Sequence, residues 1–455
     1  MARASPVPML AVLAAGADAQ VSSMSERIEQ AVPPGNVLLI VADDLGCDMV
    51  GLFGQHPDAP PTPTLDLLAA AGNAFTSTYS DPLCSPTRAC ILTGRYGFRT
   101  GFGEALQVNA VDYSLPLAEI TLPEALASSS AWPVAHSAIG KWHLAALPGS
   151  PEFHPNQQGF GWFEGTLGNL YLGQNYFSHS KVLNGVFAPS STYATTEQVD
   201  DAIARTESMP QPWFLHLAFN APHAPFHAPP AGLHGYPLSG DPELTPQMHF
   251  RAMAQALDTE MGRLFASIDP SVLARTTVIF VGDNGSPNEV VTPPAISGEN
   301  KGTLSEGGVH VPLIIAGYAV AQPGARCDAL VNSVDLYPTV LELLGVAPAD
   351  FTPAGTPMDG ISLIPYLADP THAPLRAWVY ASRFSPNGFG PYGAHAQMLR
   401  TKRWKLIERS GEAAAFFDFQ SPQGEGLNLL DGIMTNEQKA AFDALAQRLQ
   451  EVVSS

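Results

Sequence analysis

Basic residues are in short supply: 22 Lys and Arg stand against 42 Asp and Glu, a formal charge of −20 over 455 residues. So acidic a chain argues against binding nucleic acid through its phosphates. No apolar run approaches the ~20 residues that a membrane span requires, so no membrane partner is expected. Cysteine is scarce as well, with only Cys47, Cys84, Cys90 and Cys327. They make no disulfide framework, and the cysteine count does not settle the compartment. The one N-x-[ST] sequon is Asn284-Gly285-Ser286, so glycosylation is not part of the design. No internal repeat is apparent.

What is present is ordinary globular material. Apolar residues make up 45% of the chain, and the length suffices for one large α/β domain with a smaller companion. Arg3, the apolar run from Met9 to Ala15 and Ala17-Asp18-Ala19 read as a short signal peptide and leader over residues 1–35, pointing to a periplasmic or secreted protein. NVLLIVA from Asn36 to Ala42 is a continuous apolar run with β-branched residues, as in a buried central strand. Residues 213–219, 277–281 and 311–316 are further buried-strand candidates. Residues 64–72 read as a helix with Thr64 as N-cap and Gly72 as its stop. Pro86 suits the first turn of a helix running to Leu92, since its missing N–H costs nothing there. Phe250, Met253, Leu257, Met261, Leu264 and Ile268 recur at helical spacing, and residues 335–344 form another helix. Strands alternating with helices indicate an α/β fold built on a large, mostly parallel sheet.

Beyond a Pro/Gly-rich stretch at 350–360 the character changes. Residues 377–382, 396–399, 404–408 and 415–419 read as short strands, followed by an amphipathic helix with Phe442, Leu445, Leu449 and Val452 on one face. The chain therefore divides into a main domain over 36–349, a linking segment over 350–376 and a small antiparallel-sheet subdomain over 377–455. Residues 168–191 and 231–247 are irregular, aromatic-bearing stretches expected to line a pocket mouth.

Three of the strands run into polar motifs at their carboxyl ends, where open α/β sheets gather ligands. Asp43-Asp44 follows the first. Adjacent carboxylates on extended chain point to opposite faces, so a bend is needed to converge them, and a divalent cation relieves their repulsion. Asp283-Asn284 repeats the pattern, the amide adding a neutral oxygen. Asn220-Ala221-Pro222-His223-Ala224-Pro225 places a histidine between prolines that restrict it, with His227 as the competing candidate.

The remaining motif is Cys84-Ser85-Pro86-Thr87-Arg88, continuing through an apolar stretch to Thr93-Gly94. It resembles the C-x-P-[ST]-R signature of type I sulfatases, in the alkaline phosphatase superfamily. Gly140-Lys141-Trp142-His143 resembles that family's G-K-W-H element, though Ala145 replaces a usual glycine. The segment around His223 resembles its P-H-x-P turn. Lys301-Gly302-Thr303 running into Glu306-Gly307-Gly308-Val309-His310-Val311-Pro312 resembles its K-G-T-x-x-E-G-G block, with His310 where arginine is usual. Ser333-Val334-Asp335-Leu336-Tyr337-Pro338-Thr339, Asp359-Gly360-Ile361-Ser362-Leu363 and Arg400-Thr401-Lys402-Arg403-Trp404-Lys405-Leu406 also resemble segments of that family, so the resemblance covers nearly the whole chain after Asn36, in order.

The resemblance implies a sulfuric ester hydrolase, arylsulfatase-like, whose Cys84 is oxidised to formylglycine by a separate maturation enzyme. The hydrated aldehyde would be the nucleophile. Asp43, Asp44, Asp283, Asn284 and residue 84 would hold one Ca²⁺, and such an all-oxygen shell suits Ca²⁺ or Mg²⁺ better than zinc. Arg88 would steady the hydroxyls of residue 84, Lys141 and Lys301 would bind sulfate, His143 would act on a hydrate hydroxyl, and His223 would protonate the leaving oxygen. If extended, Lys141 and His143 would project to one side with Trp142 on the other. The substrate would be a small sulfate ester, since the net charge disfavours long sulfated polyanions unless a local basic groove overrides it. Two alternatives stay open: a phosphonate monoester or phosphodiester hydrolase of the same superfamily, and an inert binder of sulfated ligands carrying an unmodified Cys84.

Overall fold

The computed structural model describes residue 12 and residues 34–128, 132–171, 173–293, 298–347 and 358–454. The expected leader thus falls almost entirely outside the described residues, as does the stretch 350–357 of the linking segment. In chain order the strands of the main domain are β1 (Asn36–Ala42), β2 (Gly72–Phe75), β3 (Thr78–Tyr79), β4 (Ala135–Gly140), β5 (Phe163–Gly165), β6 (His179–Leu183), β7 (Val186–Ser190), β8 (Trp213–Ala218), β9 (Thr276–Gly282), β10 (Leu313–Gly317), β11 (Ala325–Cys327) and β12 (Val331–Asn332). The C-terminal part contributes β13 (Val379–Ser385), β14 (Ala394–Arg400), β15 (Trp404–Arg409) and β16 (Ala415–Asp418). The helices that frame the argument are α1 (Pro63–Ala70), α2 (Cys84–Thr93), α3 (Ala194–Ser208), α4 (Pro246–Ser267), α5 (Leu336–Leu343) and α6 (Asn436–Ser454).

Ten strands form one mixed sheet in the order β11-β2-β10-β9-β1-β8-β4-β5-β6-β7. Its centre is parallel: β9, β1, β8 and β4 run together, with Ala42 level with Gly282, Val41 with Ala218, and Gly140 with Ala218. Four carboxyl ends therefore emerge side by side along one edge. The all-apolar run of β1 explains its place: Val37, Leu39 and Val41 pack on one face, Leu38, Ile40 and Ala42 on the other. Helices α2 and α5 cover the first face, and α1, α3 and α4 the second.

Helix α1 departs from the reading of its sequence. It begins at Pro63, with Thr62 rather than Thr64 in the cap position and no side-chain bond from that cap. The first-turn N–H groups of Thr64 and Leu65 instead donate to Asp258 of α4, at 3.0 and 2.9 Å. A carboxylate on a neighbouring helix thus does the capping, and it satisfies the positive end of the helix dipole. Gly72 opens β2 instead of stopping the helix, and glycine is needed there since a Cβ would sit 2.2 Å from the Ile315 carbonyl oxygen. We expect Asp258→Ala to cost about 2–3 kcal/mol in urea unfolding, since two buried donors lose their acceptor. Burial pushes the Asp258 carboxyl up to about 6, above its unfolded value of about 3.9. The folded state then holds this proton more tightly, so the contribution present at low pH is lost as pH rises through about 6. Stability of the unaltered protein relative to Asp258→Asn should accordingly fall between those values.

Strands β13 to β16 form a separate four-stranded antiparallel sheet, against which α6 packs Leu445, Leu449 and Val452. The sheet is bolted to the main domain by polar contacts. The fully buried Lys405 places Nζ 2.9 Å from Glu306 and 2.7 Å from Glu425, and Arg400 reaches Glu306 at 3.1 Å. Another correction concerns 168–191: this stretch contains the hairpin β6–β7, turning at Asn184-Gly185 with φ of 45° and 86°. Both turn residues adopt the left-handed conformation that a two-residue hairpin loop demands. No described helix is long and apolar enough to cross a membrane.

Candidate active site

The parallel register delivers Asp43-Asp44 from β1, Lys141 to His143 from β4, Asn220 to His223 from β8 and Asp283-Asn284 from β9 to one place. Asp44 has φ of +67°, which supplies the bend that two adjacent carboxylates need in order to converge. Its N–H donates to Asp283 Oδ1 at 3.0 Å, and Asn284 Nδ2 donates to Asp44 Oδ1 at 2.8 Å. The two loops are thereby latched to each other. A second latch lies just beyond: Ser286 Oγ donates to Asp48 at 2.8 Å and accepts the Gly46 N–H at 3.2 Å.

Three cations answer the three carboxylates. Arg88, one turn into α2, donates Nε and Nη2 to Asp283 Oδ2 at 3.1 and 2.7 Å, and Nη1 to the Lys141 carbonyl at 3.1 Å. Lys141 Nζ lies 2.5 Å from Asp43 Oδ2, and Lys301 Nζ lies 2.6 Å from Asp44 Oδ1. Burial works to raise the Asp43 carboxyl, but Lys141, His223 and Arg88 outweigh it and hold it below its ordinary value. Asp44 is held down against burial by Lys301 and His223. Asp283 goes the other way, raised by burial and by the neighbouring Asp43 more than Arg88 and Lys141 lower it.

Cys84 is the first residue of α2 and is 1% exposed. Its Sγ lies 3.1 Å from His143 Nδ1. His143 Nε2 faces the Leu106 carbonyl at 3.0 Å, so Nε2 carries the proton and Nδ1 is the acceptor turned toward residue 84. Burial, Lys141 and Arg88 hold this imidazole well below its usual pKa, hence neutral. The expectation of a plain extended Lys141-to-His143 segment needs correction. Strand β4 stops at Gly140, and His143 adopts φ of +59°, a conformation rare enough for a non-glycine residue to mark a functional constraint. Trp142 does pack away from the site, donating Nε1 to His154 at 3.1 Å.

His223 Nδ1 sits 2.7 Å from the Ala224 carbonyl and so carries a proton, leaving Nε2 3.7 Å from Asp44 Oδ2. His227 is occupied elsewhere, its ring 4.2 Å from that of Tyr176 and its Nε2 3.2 Å from the Tyr193 hydroxyl. His310 stacks on Tyr79 and faces the Thr76 carbonyl at 3.1 Å, a packing position away from the carboxylates. The sequence reading gave no role to Glu306 and Lys405, which pin the segment bearing Lys301 to the C-terminal sheet; an acid and a lysine 99 residues apart carry no local signal of their pairing.

The donor set fits a hard cation. Asp43 Oδ1 and Asn284 Oδ1 are buried with no hydrogen-bond partner among the described residues, and one ligand atom each from Asp43, Cys84 and Asp283 lies within 4.8 Å of the others. Two unsatisfied oxygens beside buried carboxylates are what a bound cation resolves.

Comparison with known proteins assigns this architecture to the alkaline phosphatase superfamily. The sulfatase family model matches residues 35–346, and the chain belongs to that family. The N-acetylgalactosamine-6-sulfatase of Canis lupus familiaris is 29% identical over 368 residues, covering 73% of this chain and 66% of that protein. The chain thus spans just under two thirds of that relative's length. Arylsulfatase A of Homo sapiens is 28% identical over 454 residues, 88% of this chain and 84% of that one. Among solved structures, Ps i-CgsB in complex with k-i-k-neocarrahexaose aligns with a TM-score of 0.77 at 24% identity, covering 92% of this chain and 93% of that chain. This last likeness speaks to the fold alone.

Proposed function

We propose that the protein hydrolyses sulfate monoesters, with residue 84 matured from cysteine to formylglycine and with a divalent cation, Ca²⁺ in the first instance or else Mg²⁺, held by Asp43, Asp44, Asp283, Asn284 and residue 84. The observation that carries this reading is the position of Cys84, at a helix N-terminus, 3.1 Å from an acceptor nitrogen and beside buried carboxylates. The cation would supply Lewis acidity and charge at the sulfuryl group.

The roles of the chain's own residues follow from their chemistry. Arg88 fixes the orientation of Asp283 and lends positive charge beside residue 84. Lys141 and Lys301 offer ammonium donors to the peripheral sulfate oxygens, where charge must be balanced. His143 Nδ1 takes the proton from a hydroxyl on residue 84, and His223, as the imidazolium with its Nδ1–H held by the Ala224 carbonyl, delivers the Nε2 proton to the departing oxygen; burial works against that charge and Asp44 favours it. In this reading residues 36–349 carry the chemistry and residues 377–455 brace the Lys301 segment, the two joined by 350–376. The 1–35 leader fits export to the periplasm or secretion, and maturation requires a formylglycine-generating enzyme.

The test is turnover of protein co-produced with that enzyme, on an aryl sulfate and on the matching aryl phosphonate monoester. Faster hydrolysis of the sulfate is expected. A preference for the phosphonate would assign the protein to the other hydrolase class, and saturable sulfate-ester binding with no turnover of either would leave a binder.

A further inference from the structure

The turn that presents His223 is tied down by a residue from outside it. Tyr176 lies between β5 and β6, with its ring buried at 1% exposure. Its hydroxyl is 2.5 Å from the Asn220 carbonyl oxygen and 2.8 Å from the His223 carbonyl oxygen. A phenol has one proton to give, so these two acceptors share it. They stand at the two ends of the same turn, which the His223 N–H closes onto the Asn220 carbonyl at 3.1 Å. Burial raises the phenol's pKa well above its usual value, so it stays a donor.

The clamp is well braced. The Tyr176 ring packs on His227 at 4.2 Å and on Tyr193 at 6.0 Å, while its carbonyl accepts the Ala194 N–H at 2.8 Å. On the other side of the turn, the Asn220 side chain accepts from Gln198 at 2.6 Å and from Thr166 at 3.0 Å. The Ala221 carbonyl accepts the Asp43 N–H at 3.1 Å, so the turn is also fixed to the carboxylate cluster. The imidazole's own hydrogen bond, 2.7 Å from Nδ1 to the next carbonyl, follows wherever the turn goes.

We propose that Tyr176 is a positioning residue for proton donation: by holding the carbonyls at both ends of the turn, its hydroxyl fixes His223 Nε2 against the leaving-group side of the site. This rests on the reading of His223 as the general acid. Misplacing a catalytic group by a fraction of its hydrogen-bond length is costly, because donation needs close alignment with the departing oxygen.

Leaving-group dependence distinguishes this from a merely structural role. A good leaving group departs with little help from an acid; a poor one does not. The experiment compares kcat/KM for 4-nitrophenyl sulfate and for phenyl sulfate in matured Tyr176→Phe and His223→Gln proteins. Any loss of folded protein cancels in the ratio. His223→Gln is expected to lose about 10²-fold or more on phenyl sulfate, and much less on the nitrophenyl ester. Tyr176→Phe should show the same bias at about tenfold, since the phenol acts only through His223. Equal losses on both substrates, or no loss on either, would overturn the role of Tyr176 while His223→Gln still shows its bias. If His223→Gln itself loses equally on both, the assignment of the acid fails and the role of Tyr176 fails with it.

Discussion

Replacing Cys84 by serine should stop turnover, with a loss of at least about 10³-fold, and leave the variant carrying one stable sulfate on residue 84. A serine hydroxyl in this position has the same neighbours: His143 Nδ1 as base, the start of α2 behind it, and Lys141 beyond. It can therefore accept the sulfuryl group. It has no second hydroxyl through which to expel it, whereas a hydrated aldehyde does. The unmodified thiol is a poor substitute, because burial pushes its pKa up more than Lys141 and Lys301 pull it down, and the thiolate is the nucleophilic form. Mass spectrometry of the residue-84 peptide checks both halves of the argument. Active protein should show H₂S exchanged for one oxygen at residue 84, and the serine variant incubated with substrate should show a covalent sulfate. Full activity with the sulfur still in place would refute the assignment.

Much of this site was legible because its chemistry sits at the ends of strands that announce themselves. The runs that became β1, β8 and β9 are apolar along most of their length and buried on both sheet faces. Each runs directly into its polar motif. Pro86 likewise marked the start of α2, which spans Cys84–Thr93. What stayed hidden depended on distant partners. Nothing near Pro63 reveals that the start of α1 is capped by Asp258, and nothing near Lys405 reveals that it neutralises Glu306 and Glu425. The left-handed backbone at Asp44 and His143 is a minority conformation even for Asp and His, which adopt it more readily than most residues, and no local sequence signal marks where it falls. The β6–β7 hairpin is a different matter: Asn184-Gly185 is a strong local signal for a two-residue turn, outweighed in the reading by the aromatic, irregular look of its flanks.

Arg88 governs the electrostatic balance of the cluster, and its removal should show this in two separable ways. The guanidinium is 1% exposed, donates twice to Asp283 Oδ2 and lies 3.8 Å from Asp43. Taking it away leaves buried carboxylates without their partner, a change that costs about 3–5 kcal/mol. Asp283, already raised by burial and by Asp43, has the least to spare. Arg88→Met, close in volume, should therefore melt well below the unaltered protein in chelator. Added Ca²⁺ should recover part of that loss, because a cation between the same carboxylates relieves the same repulsion. At a hundredfold excess over its dissociation constant, a ligand of the folded state contributes about 2.7 kcal/mol. Turnover should not return, since the ion restores charge but not the guanidinium donors beside residue 84. Thermal melts with and without Ca²⁺, paired with assays, read both effects. Equal melting of the variant with and without the ion would mean that these carboxylates do not hold it. Recovery of full turnover would mean that Arg88 serves only to neutralise charge.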